Sequence, residues 1–330
     1  MKMLVTGGGG FLGLYIVEQL LSDGHDVRVF CRGNYSALDQ LTVEVVNGDL
    51  RDPDVLVLAC EGIDAVFHVA AVPGVWGSWD TYYSINTVGT QNLLEAAQAA
   101  GVRRFIYTSS PSVVFGAEDH VDADESLPYP SSWMAHYPHS KALAEQSVLQ
   151  AARSGFRTVS LRPHLIWGAR DNHLIPRLLQ KARSGHLRRV GDGTNVVSVV
   201  NVENAAHAHI LVEQSLRDSE TCSGHAYFVN EPEAVNLWDW IDELLKLAQL
   251  PPVSKTISVR SAYCIGAMLE QIWKVLRLKG EPFMTRFVAA QLGGSHSYSI
   301  AAAKRDFGYE PLVTMEEGLR RLQEDLVSTG

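Results

Sequence analysis

Tyr137 and Lys141 stand four residues apart in Tyr137-Pro-His-Ser-Lys141. On a helix, positions i and i+4 share one face. An ammonium beside a phenol favours the phenolate and lowers the phenol's pKa. Such a tyrosine exchanges a proton with a carbonyl or alcohol oxygen near neutral pH. The YxxxK pattern alone is common. Its weight here comes from its place after five strand–helix units and a glycine-rich loop. Thr108-Ser109-Ser110 closes a strand, at the sheet edge where α/β proteins bind ligands. A hydroxyl there can hydrogen-bond a substrate oxygen. Ser110 is the candidate and Ser109 the second choice, against a plain role bonding loop backbone. Asn86, in Asn86-Thr-Val-Gly-Thr90, lies at a helix start. It can hold a water for proton relay, or it can cap or bend the helix.

The second chemical feature is Thr6-Gly-Gly-Gly-Gly-Phe-Leu-Gly13, a TGxxGxxG loop with Gly7, Gly10 and Gly13 in register. Bare glycines let backbone approach a pyrophosphate, and the following helix offers N–H donors and a partial positive charge. Gly13 permits close packing of helix on strand. No GK[ST] follows, so a P-loop is excluded. The acidic residue expected after the second strand, for the ribose hydroxyls, is missing: Cys31 stands there and Arg32 follows. A guanidinium pairs with a 2′-phosphate that a carboxylate would repel. Arg32 therefore favours NADP over NAD, with NAD still open, unless it is a solvated surface charge. Arg28 is nearby, on a strand whose alternation leaves its direction open. Asp49 and Leu50 close the third strand where an adenine would be flanked, although Asp49 also suits turn capping.

The elements that must position these residues follow from periodicity. Apolar runs at 2–5, 27–30, 43–46, 65–69, 104–108 and 159–162 read as strands, with helical patterns such as 11–21, 92–100 and 142–154 between them. Strands alternating with helices give an α/β, Rossmann-type doubly wound parallel sheet. After Arg162-Pro163 the rhythm changes. Residues 196–202 read as one more strand and 204–216 as a helix. The expectation is a dinucleotide-binding domain over 1–168, with 196–230 returning to it. A smaller, mostly helical C-terminal substrate lobe takes 169–195 and 231–330.

Composition sets bounds on function. Hydrophobic residues make up 46% and charged residues 20% of 330, which excludes disorder. Lys and Arg number 28 against 37 Asp and Glu, a net charge of −9, which argues against a general nucleic-acid binder. Cysteines 31, 60, 222 and 264 form no CxxC pair, and His173, His207 and His209 have no ligand-spaced company. No metal site is expected. The first residues lack a signal peptide's apolar stretch, and a cytoplasmic location is expected.

TGGGGFLG, Asp49-Leu50, His68-Val-Ala70-Ala71, the Asn86 segment, Tyr107-Thr-Ser-Ser and YxxxK, in this order and spacing, resemble the extended short-chain dehydrogenases/reductases over essentially the whole chain. The resemblance implies Tyr137 as acid/base, Lys141 as its pKa modifier and ribose anchor, and Ser110 as carbonyl orienter. It places Gly7, Gly10, Phe11, Leu12, Gly13, Ala70, Ala71 and Asn86 against the cofactor, and Pro163 and His164 near the nicotinamide. Tyr107-Thr-Ser-Ser-Pro-Ser-Val-Val114, Leu161-Arg-Pro-His-Leu-Ile-Trp-Gly168 and Asp306-Phe-Gly-Tyr-Glu-Pro311 resemble the 3β-hydroxysteroid and sterol-carboxylate dehydrogenases. Pro73-Gly-Val-Trp-Gly-Ser-Trp79, Phe30-Cys-Arg-Gly-Asn-Tyr35 and Gly280-Glu-Pro-Phe-Met-Thr-Arg286 are similar to bacterial 2-alkyl-3-oxoalkanoate reductases of long-chain olefin biosynthesis, which use NADPH.

The resemblance implies an oxidoreductase that interconverts a 3-oxo and a 3-hydroxy group on a bulky, lipid-like acid. A steroid or sterol dehydrogenase, a nucleotide-sugar epimerase or dehydratase, and a nucleotide-sensing regulator with a dead site are the other readings. Trp76 and Trp79 can wall an apolar cleft. Arg177, Arg188 and Arg189 can meet a carboxylate or form a solvated face. The apolar stretch 262–278 carries Glu270, Lys274 and Arg277, too much charge to span lipid. It suits a core or homodimer helix, a cover for hydrocarbon, or contact with a membrane surface or pathway enzyme.

Overall fold

The computed structural model describes residues 1–116 and 118–329. Short apolar runs with no polar face are the pattern of parallel strands covered on both sides. They form one sheet: β1 (Lys2–Thr6), β2 (Asp26–Cys31), β3 (Glu44–Asn47), β4 (Ala65–His68), β5 (Arg104–Thr108), β6 (Arg157–Pro163) and β7 (His225–Val229), in the order β7-β6-β5-β4-β1-β2-β3. Every pairing is parallel. Strand alternation sends Met3 and Val5 into one core and Leu4 into the other, all three with no exposed surface. The first core is covered by α1 (Phe11–Ser22) and α6 (Val202–Asp218), through Ile16, Leu20, Ala205 and Val212. The second is covered by α2 (Pro53–Cys60), α3 (Gly89–Ala99) and α4 (His136–Gln150), through Leu56, Leu93, Ala97, Ala144 and Val148.

Register places Thr6 opposite both Phe30 and His68, His68 opposite Tyr107, and Thr108 opposite Leu161. The carboxyl ends therefore reach one edge together. The order reverses between β1 and β4, which makes that edge a topological switch point.

Two boundaries differ from the sequence pattern. Helix α4 begins at His136 and so contains both Tyr137 and Lys141. Pro138 sits in its first turn, where a missing N–H costs no intrahelical bond. Residues 196–202 do not form one strand. Val196–Val197 joins a second, four-stranded sheet, Val200–Asn201 pairs with Ile166–Trp167, and α6 starts at Val202 behind the Asn201 side-chain cap. The second sheet also holds His120–Ala123, Val235–Asn236 and His296–Tyr298.

A third core, around Trp167, Trp238, Trp240, Leu244 and Val190, joins α5 (Leu174–Arg183) to α7 (Leu237–Leu247). The stretch 262–278 lies mostly in α8 (Val259–Leu276). Its face of Ala262, Gly266, Leu269 and Glu270 is buried; Met268, Val275 and Leu276 are exposed. A Cβ at Gly266 would stand 2.5 Å from the Thr285 carbonyl carbon, so only glycine allows that approach. Among the described residues no helix is long and apolar enough to cross a membrane.

Histidines tie these layers together while held neutral. His68 joins Thr6 (2.7 Å) to Thr90 (2.8 Å), and burial lowers its pKa to about 3. His209 joins Thr108 (2.8 Å) to the Ala205 carbonyl (2.7 Å), and burial lowers it to about 4. Their folded values lie below the unfolded value of 6.5. Their stability contribution is therefore complete above that value and is lost as pH falls toward the folded values, by up to about 1.4 kcal/mol per pH unit for each imidazole. Urea midpoints should fall steadily from pH 7 to pH 5. His209→Gln should flatten that slope, and a flat wild-type profile would contradict the assignment.

Candidate active site

The glycine loop is shaped by contacts that exclude side chains. Gly7 has φ of +71°, and a Cβ there would stand 2.9 Å from the Ala70 Cα. A Cβ on Gly13 would stand 2.2 Å from the Gly7 carbonyl oxygen. The loop closes on itself through Gly10 N–H to the Gly7 carbonyl at 2.9 Å. α1 opens at Gly10 with no side-chain cap, leaving its first-turn N–H groups for a ligand. These residues line a cleft of about 480 Å³ at the switch point, with Phe11, Leu12, Arg32, Asp49, Leu50, Ala70, Ala71, Ser110, Tyr137, Lys141 and Pro163. A bare-glycine cradle running from the loop to Tyr137 fits a dinucleotide.

Arg32 is exposed on the cleft wall at the end of β2. Arg28 points elsewhere: its Nη1 donates to the Leu58, Ala59 and Glu61 carbonyls at the carboxyl end of α2, and its guanidinium pairs with Glu44 at 3.0 Å. Asp49 is engaged by Arg51 through two guanidinium bonds (2.7 and 2.9 Å) and a backbone N–H (2.9 Å). Arg51 chiefly, and Arg32 to a smaller extent, hold that carboxyl down at about 2.

Tyr137, Ser110 and Lys141 come together as their spacing implies. Ser110, Tyr137 and Lys141 all line the cleft, and the Tyr82 ring lies 6.2 Å from the Tyr137 ring, edge-on. The electrostatics differ from expectation. Burial first, and the neighbouring Tyr82 second, push the phenol up to about 12, against a lowering by Ser110. Burial likewise lowers Lys141 to about 7, opposed by Glu145 one turn along. The Lys141 ammonium donates to the Thr108 carbonyl (2.6 Å) and lies 4.1 Å from the Tyr107 ring centroid. Loss of water thus dominates the phenol, and Lys141 is turned to the Thr108 carbonyl. Ser109 also lines the cleft, but it is buried and its Oγ has no hydrogen-bond partner among the described residues.

Two of the expected positions are not among the residues that line the cleft. Asn86 does not line the cleft, although its neighbour Ile85 does. Its Oδ1 accepts from Val72 N–H (2.8 Å), and its Nδ2 donates to the Val72 carbonyl (3.1 Å) and Ser140 Oγ (3.1 Å). With both N–H donors engaged it is a brace, and no relay water is needed to explain it. The brace sits in a π-helical turn, Tyr83–Val88. From that turn Thr87 also bonds the Ser140 carbonyl, and Ser140 in turn donates to the Tyr137 carbonyl. His164 is likewise outside the cleft. Its Nε2 meets His296 Nδ1 at 2.6 Å, and His296 Nε2 meets the Gln291 carbonyl at 2.8 Å. A carbonyl only accepts, so His296 carries its proton on Nε2 and receives the His164 N–H. The pair fastens the end of β6 to the second sheet.

Residues missed in the sequence also line the cleft, among them Tyr35, Leu165, Ile166, Asp171 and His173. A Cβ on Gly9 would fall 2.3 Å from the Tyr35 ring, so that ring closes over the glycine loop. The segment after β6 contains left-handed Leu165 and Arg170. Arg170 grips Glu18 of α1 with two bonds (2.7 and 2.8 Å). Asp171 accepts three N–H groups at the start of α5.

The sequence profile described as the 3-beta hydroxysteroid dehydrogenase/isomerase family matches residues 4–258. The chain belongs to that family. A "2-alkyl-3-oxoalkanoate reductase" of Stenotrophomonas maltophilia (strain K279a) is 47% identical over 326 residues, covering 98% of each chain. A mouse "Sterol-4-alpha-carboxylate 3-dehydrogenase, decarboxylating" is 35% identical over 325 residues, covering 97% of this chain and 89% of its own. A crystal structure of gox2253 superposes with a TM-score of 0.79 at 27% identity, covering 100% of this chain and 98% of the other. A UDP-galactose 4-epimerase structure reaches 0.76 at 23% identity, covering 100% and 99%, a likeness of fold alone. The extended short-chain dehydrogenase/reductase resemblance and the Rossmann-type sheet are thereby established, and the family is one of dehydrogenases and reductases.

Within this family member the glycine loop is testable on its own. Gly13→Ala forces a methyl group against the Gly7 carbonyl. Nicotinamide nucleotide affinity, read by fluorescence titration, should fall at least about tenfold, or ~1.4 kcal/mol. Unchanged affinity would contradict the cradle.

Proposed function

We propose that this chain is an NADP-dependent reductase of 2-alkyl-3-oxoalkanoates, catalysing ketone + NADPH + H⁺ to alcohol + NADP⁺. The carrying observation is the Ser110–Tyr137–Lys141 set at the cleft edge; the reductase named above, 47% identical across nearly its full length, supports the substrate class. When bound, the cofactor supplies the hydride. Ser110 donates a hydrogen bond to the ketone oxygen, and Tyr137 gives that oxygen its proton. A phenol held near 12 remains protonated at neutral pH, which suits the reductive direction. Lys141, poised near 7 at the Thr108 carbonyl, anchors the far side of the site. The cleft wall also carries the apolar Pro73, Ile85, Leu165 and Ile166, which suit a hydrocarbon substituent.

The sterol reading rests on more distant relatives, 35% identical. A turnover panel of 2-alkyl-3-hydroxy acids, sterol carboxylates and UDP-sugars, each with NADP and NAD, separates the classes. Net NADP(H) turnover on the alkyl acids is expected. Tyr137→Phe should lower kcat by at least about 10²-fold, the size of a general-acid contribution, with nucleotide affinity retained. Near-normal turnover would reject the assignment.

The NADP preference is supported by exposed Arg32 on the cleft wall and by Asp49 being engaged by Arg51. A charge-assisted bond to phosphate is worth roughly 1.5–3 kcal/mol. Arg32→Ala should therefore raise the KM for NADPH by about tenfold or more and leave that for NADH nearly unchanged. Equal effects on both would contradict the 2′-phosphate role.

A further inference from the structure

Ser110 is held by a neighbour that no part of the reading above uses. It leads into a single 3₁₀ turn, Pro111–Val114, and stands at that turn's N-cap in extended conformation. Its Oγ accepts two hydrogen bonds from one residue: the Ser112 backbone N–H at 3.2 Å and the Ser112 hydroxyl at 2.9 Å. Pro111 between them has no N–H to compete. Val113 and Val114 are buried with Ala142 and Phe228, which fixes the turn. Ser112 itself is buried.

A hydroxyl has one proton to donate and two lone pairs to accept with. Ser112 fills both lone pairs, so Ser110 can only donate. With both acceptor sites taken, its proton is left for the cleft that Ser110 lines together with Tyr137, where a ketone oxygen would lie. Without the Ser112 hydroxyl, one lone pair is free. Ser110 can then turn and accept from the Tyr137 O–H, occupying the proton that the substrate needs. We propose that Ser112 is a positioning residue that fixes the hydrogen-bond polarity of Ser110, making it an obligate donor to the reacting oxygen. The inference rests on the reductase reading.

The test compares Ser112→Ala, Ser112→Thr and Ser110→Ala in the full chain, by steady-state kinetics in the reductive direction from pH 6 to 11. Ser112→Ala should lower kcat about tenfold, a fraction of the loss from deleting an oxyanion donor outright. The KM for NADPH and the melting temperature should stay unchanged. Ser112→Thr, which keeps the hydroxyl, should restore kcat. Wild-type kcat in Ser112→Ala across the range would overturn the inference. Should that variant fail to fold, Ser112→Cys, of similar volume with a weak donor, takes its place with the same expectations and the same overturning result. Ser110→Ala separates the two levels. If it retains full turnover, the reductase site itself is misassigned. If it is inactive while Ser112→Ala is normal, only the role of Ser112 falls.

Discussion

The ammonium of Lys141 is 2% exposed, and an unpaired charge there would cost several kcal/mol. The fold answers with three neighbours from three elements. The Thr108 carbonyl ends β5, the Tyr107 ring lies beneath, and Glu145 follows one turn along α4. Glu145 is in turn satisfied by Arg162 of β6, by Ser160 and by the Tyr129 hydroxyl. Removing one partner of such a buried pair typically costs about 3–5 kcal/mol. The site can therefore exist only where β5, α4 and β6 meet in this register.

The same enclosure sets the site's acid–base character. Burial raises the phenol and lowers the ammonium. Both shifts run against the charged forms, phenolate and ammonium. Hydrogen bonds at the rim of that enclosure, from the Ser112 hydroxyl and N–H to Ser110 Oγ, orient the cleft-lining serine. A polar network of this kind specifies geometry when every member is satisfied.

Position is enforced from two sides. The π-helical turn Tyr83–Val88 holds the first turn of α4 through Asn86 and Thr87, and π turns recur at functional sites. Across the cleft, the segment after β6 is fastened to α1 by Arg170 and to the second sheet by His164 and His296. The cleft wall and the second sheet therefore share anchors.

By itself the sequence determined what local chemistry and periodicity control. Apolar runs with no polar face dictated buried parallel strands, TGxxGxxG dictated a backbone cradle, and four-residue spacing dictated one helical face for Tyr137 and Lys141. Arg32 drew notice because the acidic residue expected after the second strand is missing, with Cys31 in its place. Tertiary structure alone decided the rest. Arg28 and Arg32 differ only in which carbonyls or carboxylates the folded chain brings near, and Asn86 became a brace because Val72 and Ser140 arrive from elsewhere. His164 left the cleft because His296, 132 residues on, supplies its acceptor. The direction of the Tyr137 shift belongs to the same class: spacing reports which charges are neighbours, whereas desolvation depends on how completely the assembled molecule removes water, and no local pattern encodes that.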